Sequence, residues 1–347
     1  MTQTMTSQAL VTNSLPVPSP IGSLDAYIGA VYQIPVLSAE DEQALARGYR
    51  DEEDLDAAQI RKFGFRFFFS DGREDIDRCT ELGVSRLMPT PSWQIDRGRF
   101  ENFLGERVRA LGIDFRDAAA VRSITMGEDG AAHAVGFSHD GGEHAISARW
   151  LVDASGRVGL LKRKLGLAES NDHDVNAVWW RVEGIVDPAG WSEDADWLQR
   201  CDPPDRWRST NHMCGPGYWF WLIPLSSGAH SVGIVCDAKT HPLDTMNTHA
   251  KAMEWLRRHQ PRVAATLDSG DHAVKDFLFL RHFSHGCRQV FSRDRWAITG
   301  EAGLFLDPFY SPGSDFIAIS NTYICDLVAR SSVCMNTTGT SASFAWS

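Results

Sequence analysis

Trp219 and Trp221 stand two residues apart in the run Trp219-Phe220-Trp221-Leu222-Ile223-Pro224. On a strand, that spacing sends both indoles to one face of a sheet. Tyr218 to Leu225 pairs with His230 to Cys236 across Ser226-Ser227-Gly228-Ala229 in a hairpin pattern. A hydrophobic sheet face is the ordinary meaning of such a stripe. The same period returns where Lys62, Gly64 and Arg66 alternate with Phe63, Phe65 and Phe67, which predicts a strand with one polar and one aromatic face. Ala120 to Met126, Ala132 to Ser138, Ala145 to Ala154, Val178 to Gly184 and the short, buried Trp296 to Thr299 read as further strands. The first two turn through Gly127-Glu128-Asp129-Gly130.

Helical spacing appears at Arg97 to Leu111, through Phe100, Phe103, Leu104, Val108 and Leu111, and stops at Gly112. A second helix, about Thr248 to His259, ends before Pro261. A third takes Ser311 as N-cap and Pro312 as its first residue, with Phe316, Ile317, Ile319, Tyr323, Ile324 and Leu327 on its apolar face. Upstream, residues 1–20 are Ser/Thr/Pro-rich and expected to be disordered. Residues 21–58 read as helical, with Ser23 as one cap and Ser38 with Asp41 as a capping box.

Length allows about two domains at roughly 150 residues each. The net charge is −11, and residues 1–58, with nine acidic and two basic side chains, supply −7 of it. Such a balance repels phosphate and disfavours nonspecific nucleic-acid binding. Seven cysteines without CxxC spacing read as reduced thiols. No signal-peptide pattern and no apolar run near ~20 residues is visible, so a soluble, cytoplasmic protein with no membrane association is expected.

Gly300-Glu301-Ala302 follows a short apolar strand, and Pro312-Gly313 heads a helix soon after. Glycine lets a backbone approach a ligand closely, and helix-start N–H groups carry partial positive charge, so this pair suits an anion. An ordinary strand-loop-helix connection shows the same pattern. His282, His285 and Cys287 lack a second cluster for zinc, as do His212 and Cys214, so no metal site is expected. Neither a Gly-x-Ser-x-Gly elbow nor a phosphate loop is present.

Together with Gln94-Ile95-Asp96-Arg97, Trp180-Arg181 and Tyr310-Ser311-Pro312-Gly313-Ser314-Asp315, these stretches make residues from about 60 to 330 resemble flavin-dependent, tryptophan-type halogenases. The resemblance implies an α/β fold of the FAD-dependent hydroxylase type, with a doubly wound cofactor domain and a β-sheet substrate domain. It implies FAD, a separate flavin reductase, and halogenation of an electron-rich aromatic substrate, free or carrier-bound. It makes Lys62, in Lys62-Phe63-Gly64-Phe65-Arg66-Phe67, the catalytic residue that receives hypohalous acid. An ammonium could hydrogen-bond and polarise that acid, and a neutral amine could form a haloamine; burial lowers a lysine pKa from about 10.4 and selects between them.

By the same resemblance, Arg97, Asp153, Gly156, Gly300, Glu301, Pro312 and Gly313 contact the cofactor, with Glu301 standing where the family has Asp. Ser311, Pro312 and Gly313 would hold the halide, while Trp219, Trp221 and Pro224 pack and shield the substrate side. The ordinary states of Lys62, Arg97 and Asp153–Gly156 are a solvated lysine, a surface arginine and a turn.

Such a protein holds the adenosine diphosphate of FAD on a Gly-x-Gly-x-x-Gly βαβ unit, and this sequence has none; Gly215-Pro216-Gly217 precedes a strand. Instead, Gly22-Ser23-Leu24-Asp25-Ala26-Tyr27-Ile28 and Ile34-Pro35-Val36-Leu37-Ser38-Ala39-Glu40 resemble the start of heat-shock-type RNA polymerase sigma factors. The expectation is a chimera: a sigma-like helical segment (21–58), a truncated halogenase-like domain (59–330) that binds FAD weakly or not at all, and an unrelated tail (331–347). The alternatives are an FAD-dependent monooxygenase on the same fold and an inactive chimera whose acidic segment docks on RNA polymerase.

Overall fold

The computed structural model describes residues 58–336, with side chains through Ser331. Residues 1–57, which hold nearly all of the expected disordered and sigma-like segments, and residues 337–347 lie outside the described residues. In chain order, β1 (Phe65–Phe69) and β2 (Thr80–Gly83) precede α1 (Arg97–Ala110). Then come β3 (Ala120–Thr125), β4 (His133–His139), β5 (Gly142–Ala148), β6 (Leu151–Asp153) and the short α2 (Leu160–Lys164). β7 (Val175–Glu183) and α3 (Ala195–Leu198) lead to β8 (Thr210–Gly215), β9 (Tyr218–Pro224) and β10 (Ala229–Asp237). After α4 (His249–His259) and α5 (Pro261–Leu267) follow β11 (Val274–Leu280), β12 (Phe291–Ser292), β13 (Trp296–Ile298) and α6 (Pro312–Asn336).

Seven strands form the main sheet in the order β11-β7-β10-β9-β8-β1-β2. All neighbours are antiparallel except β8 and β1, which run parallel. One face carries Phe68, Met213, Phe220, Leu222, Val232, Ile234, Val178 and Trp180 against Met253, Leu256 and Val263 of α4 and α5. Burying each such side chain contributes about 1.5–3 kcal/mol, so this face is the main source of stability. Thr248 caps α4 by accepting from the Lys251 N–H. A separate three-stranded sheet, β12-β13-β6, pairs β6 parallel to β13, and β3-β4-β5 form an antiparallel meander.

Three expectations change. The strand expected from Lys62 begins only at Phe65, because Gly64 takes φ 78° and breaks the extended run. Alternation restarts there, so Arg66 faces the core instead of solvent. It is held by the Glu81 carboxylate, which also accepts from the wholly buried Arg206 at 2.9 Å; Arg206 in turn stacks 3.8 Å from the Trp197 ring. The segment Ala145 to Ala154 is two strands, since β5 ends with the meander and Leu151 turns to pair beside β13. The third helix runs on to Asn336, and much of its apolar face is open: Ile317, Ile319 and Tyr323 are exposed, while Ile324 is buried.

Candidate functional site

The second face of the main sheet is aromatic. Register aligns Phe67 of β1 with His212 of β8, His212 with Trp221 of β9, Trp221 with Gly233 of β10, and Gly233 with Trp179 of β7. Gly233 makes this row possible, because a Cβ there would stand 2.4 Å from the Trp221 ring and 2.7 Å from the Trp179 Cβ. The indole of Trp221 therefore crosses β10 and donates to Ser231 Oγ at 3.1 Å. Trp219 shares that face, its ring 5.7 Å from Trp221 and 5.3 Å from Phe309. Pro224, by strand alternation, points to the opposite, helix-covered face and is not brought to the indoles.

His212 sits at the centre of the cluster and is 1% exposed. Its ring stacks on Phe67 at 4.7 Å and lies 5.2 Å from Trp219, 5.2 Å from Phe309 and 6.1 Å from Phe65. Burial pulls its pKa down to about 4, so the imidazole is uncharged at neutral pH. Sequence reasoning weighs His212 only as a metal ligand. Its period-two register with Phe67 and Trp221 carries the signal, but that needs the parallel β8–β1 pairing, which no local pattern announces.

Lys62 lies just before this face. Its N–H donates to the Ser92 carbonyl at 2.7 Å and the next N–H to Arg208 at 3.0 Å, which fixes the segment although it is not a strand. The ammonium nitrogen sits 3.4 Å from the Phe65 ring centroid. Desolvation lowers its pKa to about 8, and no carboxylate offsets that shift. An exposed lysine on a polar strand face is therefore the wrong picture. Lys62 is half-buried against the aromatic cluster that holds Trp219.

At the other end, the carboxyl termini of the parallel strands β6 and β13 bring two turns together, the position at which open α/β sheets take ligands. Asp153 accepts from the Ser155 N–H at 2.9 Å and the Leu161 N–H at 2.6 Å, so its carboxylate caps α2 and orders the turn. Gly156 (φ 61°) and Gly300 (φ 59°) adopt left-handed backbone, and the buried Lys162 donates to the Gly303 carbonyl at 2.9 Å between them. Thr299 Oγ1 donates to Asn321 at 2.9 Å, tying the turn to α6. Glu301 is half-buried, its carbonyl beside His285 Nε2 at 3.1 Å.

These residues fit the flavin end of FAD: glycine turns at strand ends, Pro312 buried at a helix mouth, and a wall of aromatic rings. The halide position fits less well. Pro312 has no N–H, the Ser311 N–H is engaged by the Pro308 carbonyl at 2.9 Å, and Asp315 adds negative charge in the first turn. Among the three expected residues, that leaves the Gly313 N–H and the Ser311 hydroxyl. Arg97 lies on the surface, paired with Glu101 one turn on, and its described contacts do not reach the Gly300 turn. Asp307, part of the signature run Asp307-Pro308-Phe309-Tyr310-Ser311-Pro312-Gly313 but given no role from sequence, opens the loop toward Phe309. Burial raises its carboxyl pKa, and it stands 3.6 Å from His173 Nε2.

A family model described as tryptophan halogenase matches residues 71–338. The chain is 34% identical over 187 residues to flavin-dependent halogenase chlA of Dictyostelium discoideum, covering 50% of this chain and 29% of that protein. It is 26% identical over 227 residues to a 1H-pyrrole-2-carbonyl (peptidyl-carrier protein) brominase of Pseudoalteromonas luteoviolacea, covering 65% and 52%. The chain thus spans about half or less of these curated relatives. Among solved structures, CmlS, a flavin-dependent halogenase, superposes with TM-score 0.62 at 21% identity, covering 79% of this chain and 46% of that one. Halogenase PltM in complex with phloroglucinol and FAD gives TM-score 0.60 at 19% identity, covering 74% and 50%. At such identity these structures speak for the fold alone.

Proposed function

Because the chain belongs to the tryptophan halogenase family, we propose that it is a flavin-dependent halogenase-like oxidoreductase acting on an electron-rich aromatic substrate, free or carrier-bound. The observation that carries this reading is Lys62: a desolvated amine of pKa about 8, set on the aromatic face that presents Trp219 and Trp221. FAD, reduced by a separate flavin reductase, supplies with oxygen and halide the oxidised halogen. The Gly300 and Gly156 turns and the buried Pro312 would hold its ring end. Phe67, Phe309 and Trp219 exclude water from the space in front, and a dry wall strengthens every polar contact there. Lys62 would take the halogen from hypohalous acid, either as a hydrogen-bonding ammonium or as an amine, and present it to the arene.

The test supplies reduced FAD, oxygen and bromide with a phenolic substrate, and with a soluble 1,3-diketone as a trap for free hypobromous acid. Brominated phenol from wild type, lost in Lys62→Ala while trap bromination persists, is the expected result. Oxygenated product made without any dependence on halide would support the monooxygenase alternative instead. A second reading rests on the sigma-factor likeness at Gly22–Ile28 and Ile34–Glu40: residues 1–58 would dock on RNA polymerase in the cytoplasm. A pull-down with that segment decides it.

A further inference from the structure

Asp307 is the half-buried carboxylate beside the aromatic face that the reading above leaves without a task. It accepts from the Phe309 N–H, two residues on, at 3.0 Å. That contact by itself is an ordinary aspartate turn, which an asparagine or serine side chain forms as well. The indole N–H of Trp219 faces the same carboxylate as its acceptor, and this donor comes from another element, β9. His173 Nε2, from the segment before β7, is the titratable group beside it, 3.6 Å away. Burial makes an ionised carboxyl costly here, and His173 and the two N–H groups oppose that cost. A short side chain with two acceptor oxygens is what two donors from different elements require.

The segment so held is strained. Ser311, a non-glycine residue, takes φ 60°, and such backbone persists only where its surroundings fix it. Between Asp307 and Ser311 the Phe309 ring comes down on the wall, 4.8 Å from Phe67, 5.2 Å from His212 and 5.3 Å from Trp219. Lys62 borders the same cluster, near enough for its charge to be felt at the His212 ring. We propose that Asp307 is a positioning residue for the halogenation: by holding the Phe309 N–H and the Trp219 indole together, it keeps the 307–311 loop closed on the wall beside Lys62. The proposal rests on the halogenase reading. Asp307 touches no reacting atom in it. It acts through Phe309 and Trp219, whose packing keeps water from Lys62 and keeps oxidised halogen from escaping.

The first test needs no flavin. Acylation of Lys62 in the full chain is followed against pH by peptide mass spectrometry, and wild type should titrate near 8. Asp307→Asn keeps the turn to Phe309 but offers the indole no second carboxylate oxygen. It should raise the Lys62 midpoint by about one pH unit as water enters. The sign is diagnostic. Losing a negative charge alone lowers an ammonium pKa, so a rise reports opened packing, and a fall or no change overturns the proposal. Trp219→Phe removes the donor from the other side and should raise the midpoint equally, with no further rise in the double variant. Shifts that add instead overturn it. Where Asp307→Asn does not fold, the Trp219→Phe midpoint decides, a rise for and no rise against. In the bromide and trap assay, Asp307→Asn should move the ratio of brominated phenol to brominated diketone about tenfold toward the diketone, the effect of one hydrogen bond. An unchanged ratio overturns the proposal. A wild type that titrates as expected yet makes no brominated phenol fails as a halogenase. Brominated phenol from wild type, together with an unmoved Asp307→Asn midpoint, sinks the Asp307 proposal alone.

Discussion

Lys62 shows how burial alone can prepare a side chain for chemistry. The amine is drawn against Phe65 and out of water, and its pKa falls from 10.5 to about 8 with no charged neighbour responsible. Amine reactivity should therefore rise about tenfold per pH unit up to a midpoint near 8 and then level off. Acylation of Lys62 followed by peptide mass spectrometry across pH 6–11 checks this, and a midpoint above 10 would contradict it. The same profile, repeated with hypohalous acid, separates amine chemistry from ammonium hydrogen bonding, because the two rise in opposite directions across that midpoint. The residue type and its Gly-x-Arg-Phe context were legible in the sequence. Its placement off the strand was not, because a single left-handed glycine resets the alternation.

Among elements, β1 and β2 depend on a buried charge cluster. Glu81 on β2 is the shared partner of Arg66 and Arg206, whose side chains are 3% and 0% exposed. Removing the carboxylate leaves two guanidinium groups buried without it, and such a loss typically costs about 3–5 kcal/mol. Glu81→Gln should lower the unfolding free energy by that order, measured by urea denaturation. A change below about 1 kcal/mol would show that backbone acceptors suffice for both arginines. In that last respect Trp197, whose carbonyl takes an Arg206 N–H at 2.6 Å, is the first candidate. The strand pattern located β9 and β10 closely because a two-residue period is local. It missed β8 entirely: a row such as Asn211-His212-Met213 has no alternating polarity, being buried on both faces.

At the scale of the whole described unit, two buried histidines set the acid limit. His212 and His230 fall from 6.5 to about 4 and about 3, both chiefly by desolvation. Below pH 6.5 the unfolded chain binds protons at these sites that the folded chain refuses, so stability falls as pH falls. Each histidine contributes up to about 1.4 kcal/mol per pH unit until its folded pKa is reached. Asp187 and Asp307, raised by burial, work the other way and soften the slope. Melting temperature measured from pH 7 to 4 should drop steadily, and less steeply in His212→Phe. A flat profile would show that these rings are solvated.

The cofactor side is the thinner half. β6 pairs only with β13 among the described strands, and Val152, Ile317, Ile319 and Tyr323 are exposed around the Gly300 turn. With no Gly-x-Gly-x-x-Gly in the sequence to cradle the diphosphate, FAD titrated into the purified chain should bind weakly, with a dissociation constant in the micromolar range or above, about −8 kcal/mol or less favourable. A tight, stoichiometric yellow complex would overturn that.

What the amino-acid order determined by itself was everything carried by short-range spacing: the β9–β10 hairpin, the helices at Arg97 and Thr248, the Pro312 helix start, and the motif stretches that mark the tryptophan halogenase family. Those features depend on neighbours within a few residues, whose backbone preferences are local. Only tertiary structure decided that Arg66 turns inward to Glu81, that Asp153 caps α2, that Arg97 stays on the surface, and that His212 occupies the centre of the aromatic wall. Each of these hangs on contacts between residues far apart in sequence, where desolvation and pairing energies outweigh any propensity the local sequence can express.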